Sequence, residues 1–130
     1  MDALLAAARD ALETAYTPYS DYRVGAAIET ADGTVYTGSN VENANYSNSL
    51  HAEEVAVGAA VSDGHQSFTR LAVSSATRDG VTPCGMCRQT LAEFCDDDFP
   101  IFTEGEAGDG PTEYTLGELL PTTITRDHLE

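Results

Sequence analysis

The dipeptide Asp32-Gly33 stands between two segments of alternating polarity, and it constrains the fold more than any other feature of the chain. Glycine supplies the positive φ that a tight turn needs, so the flanking segments return on each other as an antiparallel hairpin. Tyr22 to Thr30 places Val24, Ala26 and Ile28 on one side, and Thr34 to Gly38 is the returning strand. Ahead of the hairpin, Leu4, Leu5, Ala8, Ala11, Leu12 and Ala15 recur at helical spacing and predict a helix over 3–16 that Pro18 stops. Behind it, Ser39 to Ser49 is an eleven-residue loop rich in Asn, long enough to point to function.

His51 opens an apolar segment through Val61, read as a helix that Ser62-Asp63-Gly64 ends. Leu71 to Ala76 reads as a third strand, Gly80 to Pro83 as a loop, and Cys84 to Cys95 as a helix with Leu91 and Phe94 inward. Pro100 to Thr103 is a short strand, and the Gly-rich acidic residues 104–112 read as an exposed loop. Tyr114-Thr115 reads as a last strand, followed by a short helix around Leu116 to Leu120. This order predicts helices packed on a mixed sheet. The 130 residues fit one domain, 1–130, which buries roughly two thirds of the surface its unfolded chain exposes.

Charge narrows the function classes. Twenty-two acids face six bases, every base is Arg, and the net charge is -16. Clear apolar periodicity argues against disorder, so the acids read as a surface that repels itself in dilute buffer. Salt at 1 M shortens the Debye length to about 3 Å and relieves that repulsion, so a salt-rich cytoplasm is the expected setting. No basic stripe is present to neutralise phosphates, which argues against nucleic-acid binding. The start is acidic where a signal peptide needs positive charge, and the apolar run Val55 to Val61 is too short to cross a bilayer. A cytoplasmic protein with no membrane partner is expected.

Two short segments carry the chemistry: His51-Ala52-Glu53 and Pro83-Cys84-Gly85-Met86-Cys87. Cysteines three apart at a helix start share one side, and the helix N-terminus favours their thiolates, which suits zinc. The only other cysteine is Cys95, so a four-cysteine ribbon is excluded. The third ligand comes from His51, His65, His128 or Cys95, and His51 is the best candidate because it too opens a helix after a loop. Three protein ligands leave a fourth position for water, the catalytic arrangement. Glu53 lies about 200° around a helix from His51. It is therefore placed beside that water as a proton shuttle, not as a ligand. Cys95 reads as a small buried hydrophobe, His65 and His128 as surface residues, and Asp96-Asp97-Asp98 as solvated acids.

His-x-Glu followed by Pro-Cys-x-x-Cys resembles the zinc deaminase signature. Pro18-Tyr19-Ser20, Val24-Gly25-Ala26-Ala27, Gly38-Ser39-Asn40-Val41-Glu42-Asn43-Ala44, Pro83 to Gln89 and Glu118-Leu119-Leu120-Pro121 are similar, in order, to the free-nucleoside cytidine deaminases. The resemblance implies a three-layer α/β deaminase fold with a mixed five-stranded sheet and a Zn2+ cofactor. It implies hydrolytic deamination of cytidine or deoxycytidine in pyrimidine salvage, by a homotetramer with composite sites. It also implies that Asn40 and Glu42 bind the ribose hydroxyls, that Tyr22 lines the nucleoside pocket, and that Arg88 donates hydrogen bonds to a zinc thiolate.

Three departures from the family pattern stand out. Many members of this length carry Cys at position 51 and Arg at position 54, where this chain has His51 and Glu54. Three thiolates on zinc leave -1 for an Arg to offset, whereas one His and two thiolates leave none. Tyr22 replaces the usual Phe, and Ile124 stands where the family has a Phe that reaches a neighbouring subunit's site. Two other readings stay open at this stage. One is deamination of an analogue such as blasticidin S, to whose deaminases Val55 to Ala60 is loosely similar. The other is thiol–disulfide exchange through Cys84 and Cys87.

Overall fold

The structure, a computed structural model, describes residues 2–76, 82–104 and 111–124. Helix α1 (Asp2–Ala11) leads into a hairpin of β1 (Val24–Thr30) and β2 (Val35–Ser39). Then follow α2 (Ala52–Ser62), β3 (Phe68–Ser75), α3 (Gly85–Phe94), β4 (Pro100–Thr103), β5 (Thr112–Thr115) and α4 (Leu116–Leu119). The hairpin turns where the sequence places it. Gly33 has φ +89°, and Asp32 accepts the Thr34 N–H at 3.1 Å and the Thr30 hydroxyl at 2.5 Å.

The five strands form one mixed sheet in the order β2-β1-β3-β4-β5. Of the neighbouring pairs in this sheet, β3 and β4 alone are parallel, and α3 supplies the crossover that a parallel pair requires. Residues directly opposite across strands share a face, so Ala27 and Ala72 look one way while Ala26 and Val73 look the other. The first pair packs on Leu4, Leu5 and Ala8 of α1. The second, with Ile28, Leu71 and Ile101, packs on Ala52, Ala56, Val57 and Ala60 of α2 and Leu91 of α3. The result is the three-layer arrangement expected from the sequence.

Small residues let both layers approach closely. A Cβ at Gly25 would stand 2.1 Å from the Ala8 carbonyl oxygen, and one at Gly38 would stand 2.4 Å from that of Ala52. Gly25 thus seats α1 on one face of the hairpin and Gly38 seats α2 on the other.

Element ends differ from the sequence reading for local reasons. The first helix stops at Ala11 and tightens into a 3-10 turn over Leu12–Thr14, although the apolar spacing runs to Ala15. Tyr16 is needed elsewhere: its N–H donates to the Asn40 carbonyl, and its own carbonyl accepts the Glu42 N–H. Strand β1 starts at Val24 instead of Tyr22 because the Asn40 side chain takes the Tyr22 carbonyl and the Val24 N–H. The acidic loop expected at 104–112 shortens, since β5 already begins at Thr112, and most of it (105–110) lies outside the described residues.

Candidate metal centre and its cavity

Helices α2 and α3 begin side by side. His51 is the N-cap of α2 and Cys84 the N-cap of α3, with Cys87 three residues on in the first turn. The His51 backbone N–H donates to Glu54 Oε1 at 2.6 Å, which fixes the residue just ahead of the helix. His51 Nδ1 and Cys84 Sγ lie 2.8 Å apart, and one donor atom from each of His51, Cys84 and Cys87 falls within 4.8 Å of the others. The remaining candidates lie elsewhere or outside the described residues. The His65 ring packs at a tilt of 54° on Tyr36 with centroids 5.4 Å apart, Cys95 caps the far end of α3 against the core, and His128 lies outside the described residues. Burial pushes the Cys95 thiol up to about 12, as befits a small core hydrophobe.

Glu53 sits between the two helix starts, 5% exposed, and its carboxylate takes a backbone hydrogen bond from Cys84. Desolvation pushes its carboxyl above the ordinary range. At Cys87 burial opposes the helix-terminus effect and pushes the thiol up, and the Glu53 charge adds to this. A buried thiol of this kind ionises only beside a cation, so the donor set asks for a metal.

Zinc fits this set. It binds thiolate sulfur at about 2.3 Å and imidazole nitrogen at about 2.0–2.1 Å, which in tetrahedral geometry separates the donors by about 3.5–3.8 Å. His51, Cys84 and Cys87 would hold it: their mixed N/S chemistry matches, the three donor atoms already cluster within 4.8 Å, and His51 Nδ1 and Cys84 Sγ, 2.8 Å apart, need to open by only about 0.7–1 Å to take the ion between them.

A cavity of about 580 Å³ opens above these residues, with His51, Glu53 and Cys84 on its lining. That volume lies in the range of small-molecule sites. Tyr22, Val24, Asn40 and Glu42 line it as well. Asn40 clasps the strand entrance, accepting from Val24 N–H at 3.0 Å and donating to the Tyr22 carbonyl at 2.7 Å. Glu42 accepts from the backbone N–H groups of Tyr19 and Ser20, at 3.0 and 3.1 Å, and from the Ser20 hydroxyl. The Ser20 hydroxyl is the main cause that holds the Glu42 carboxyl below its usual value. Both side chains therefore shape the wall and line it at once.

Arg88 corrects one sequence expectation. Its Nε donates to the Pro83 carbonyl at 2.6 Å, Nη1 to the Leu119 carbonyl at 2.7 Å and Nη2 to Thr82 Oγ1 at 2.9 Å. These three oxygen acceptors take the guanidinium instead of a thiolate. Sequence reasoning assigned no role to Tyr19, Tyr46 or Thr82, which also line the cavity. Tyr19 and Tyr46 meet edge to face at 6.2 Å, and Tyr46 lies in the long loop whose length alone had pointed to function.

Comparison with known proteins agrees with this geometry. A family model described as "Cytidine and deoxycytidylate deaminase zinc-binding region" matches residues 1–103. A cytidine deaminase of Sporosarcina psychrophila is 44% identical over 129 residues, covering 99% of this chain and 94% of that protein. The crystal structure of cytidine deaminase from Burkholderia pseudomallei superposes with a TM-score of 0.87 at 38% identity, over 95% of this chain and 98% of that one. A blasticidin-S deaminase of Bacillus cereus is 32% identical over 114 residues, covering 82% of this chain and 79% of that protein. With the donor set, the buried carboxylate and these matches together, the chain belongs to the zinc-binding cytidine and deoxycytidylate deaminase family.

Proposed function

We propose that this chain hydrolyses cytidine and deoxycytidine to uridine and deoxyuridine with release of ammonia. The observation that carries the reading is Glu53, a buried carboxylate wedged between the helix starts that present His51, Cys84 and Cys87, on the wall of a nucleoside-sized cavity. Zinc, when bound, supplies the Lewis acidity that brings the pKa of water from about 15.7 toward about 7.

The chain's own residues do the rest. Glu53 accepts a proton as the water oxygen bonds to C4 of the cytosine ring, and passes it to N3. It then carries the remaining hydroxyl proton to the amino group as the C4–N4 bond breaks and ammonia leaves. A carboxyl raised by desolvation holds and releases protons nearer neutral pH, which suits a group used in both directions. Asn40 and Glu42 offer an amide and a carboxylate to the ribose hydroxyls, and Tyr22 lies alongside the base.

Intact Asn40 and Glu42 at the wall support a plain ribose over an analogue such as blasticidin S, and the higher identity to a cytidine deaminase points the same way. We read residues 1–130 as one deaminase domain working on free nucleosides in pyrimidine salvage, in a salt-rich cytoplasm, without nucleic-acid or membrane partners. The exposed Tyr16, Tyr46, Leu50, Met86 and Ile124 support a surface covered by other copies, as in a homotetramer.

The test is ammonia release from cytidine, deoxycytidine, blasticidin S and oligodeoxycytidylate in molar KCl, with metal analysis of the same sample. Turnover of the two nucleosides with stoichiometric zinc is expected. Preference for blasticidin S, or efficient deamination within the oligonucleotide, overturns the reading. Reversible disulfide formation at Cys84 and Cys87 in a zinc-free active protein would replace it with thiol–disulfide exchange.

A further inference from the structure

The cysteine helix is tied to the C-terminal segment at its first turn. Thr82 and Cys84 both line the cavity, and Pro83 between them is buried. The Pro83 carbonyl precedes the N-cap of α3 and so falls outside the helical ladder, while the Leu119 carbonyl stands at the open end of α4. Arg88 bonds both of these oxygens, and the Thr82 hydroxyl as well, through its three guanidinium nitrogens. Its backbone N–H closes on the Cys84 carbonyl at 2.9 Å, so one residue fixes Thr82, Pro83 and Cys84 together. Next to it, Gln89 Nε2 donates to the Ile124 carbonyl at 3.0 Å, a second tether between α3 and the same segment.

We infer that Arg88 is a positioning residue for the metal centre: it locks the approach to Cys84 and Cys87 against the carbonyl end of α4. The arrangement needs a planar fork, because three acceptors on two separate segments are met at once. A lysine ammonium reaches as a single point charge and leaves acceptors unmet. The consequence is that the C-terminal segment, through Leu119, helps set how firmly the cysteines hold their ion. This rests on the zinc reading of the donor set and deepens it.

The test uses the zinc-loaded protein as Arg88→Gln and Arg88→Lys beside the parent. Three quantities are read: zinc affinity by competition with a chromophoric chelator, melting temperature, and kcat and KM for cytidine. Loss of a group that orients metal ligands costs about 10–100-fold in metal affinity, so Arg88→Gln should fall in that range and Arg88→Lys between it and the parent. Turnover should follow the metal, with kcat lowered and KM little changed, because Asn40 and Glu42 stand on another segment. If Arg88→Gln does not fold, Thr82→Val removes one acceptor and should lose zinc affinity in the same direction, to a smaller extent. Zinc affinity within about twofold of the parent in every folded variant, with only the melting temperature lowered, overturns the inference. A parent that binds zinc but deaminates no nucleoside counts against the deaminase reading alone, since the chelator measurement still decides Arg88.

Discussion

Replacing Gly38 by Ala tests how the sheet positions α2, the helix that carries the proposed proton shuttle Glu53. The added Cβ would stand 2.4 Å from the Ala52 carbonyl oxygen, 2.6 Å from the Ala56 N and 3.0 Å from the Val55 Cβ. The first two are backbone atoms of α2 and cannot rotate away. Restoring an ordinary contact of 3.4 Å requires α2 to retreat by about 1 Å. Overpacking of this kind costs about 1–3 kcal/mol, which for a chain of this size lowers the melting temperature by roughly 3–12 °C. Catalysis should suffer more than stability, because α2 carries Glu53 and is capped by His51. A displacement of about 1 Å at reacting groups costs about 100-fold in rate. Gly25→Ala is the control: its Cβ would stand 2.1 Å from the Ala8 carbonyl oxygen, so it strains α1, which bears none of the metal donors or Glu53. Thermal melts and deamination per folded molecule, both on zinc-loaded protein, separate the two effects. Gly38→Ala should lose turnover out of proportion to its lost stability, and Gly25→Ala should not. Equal proportional losses of turnover in the two variants, or an unchanged melting temperature for Gly38→Ala, would refute the reasoning.

Glu53→Gln keeps the shape of the side chain and removes its ability to take protons. It should retain zinc and fold while turnover drops by at least about 10²–10⁴-fold, measured as metal content and rate on one preparation; an active variant would remove Glu53 from the mechanism. Cys84→Ala and Cys87→Ala should each lose the metal, whereas Cys95→Ala should keep it, and full zinc content in either of the first two would break the donor assignment. Native Cys95, with its thiol held at about 12, should resist alkylation at pH 8 and react only once the protein is unfolded in urea, as mass spectrometry can follow. The charge of -16 without lysine predicts a melting temperature that rises as KCl goes from millimolar to molar, and a flat or falling trend would end that idea.

Local chemistry determined much of this molecule. Asp32-Gly33 specifies its hairpin because the turn conformation depends on those two residues alone, and the apolar spacings of α1, α2 and α3 are periodicities of single segments. The cluster of candidate donors was legible for the same reason: His51, Cys84 and Cys87 each stand at a helix start, a position that short-range signals mark. What depends on distant parts of the chain was not legible. The end of α1 at Ala11 answers to the pairing of Tyr16 with residues 40–42, which no local rule encodes. Burial opposes the helix-terminus effect at Cys87, and burial is a property of the packed layers. One of the three acceptors of Arg88, the Leu119 carbonyl, lies 31 residues away, so that contact follows from where α4 docks. Gly25 and Gly38 look like ordinary strand glycines until two helices are laid across them, because close approach exists only between elements already folded together.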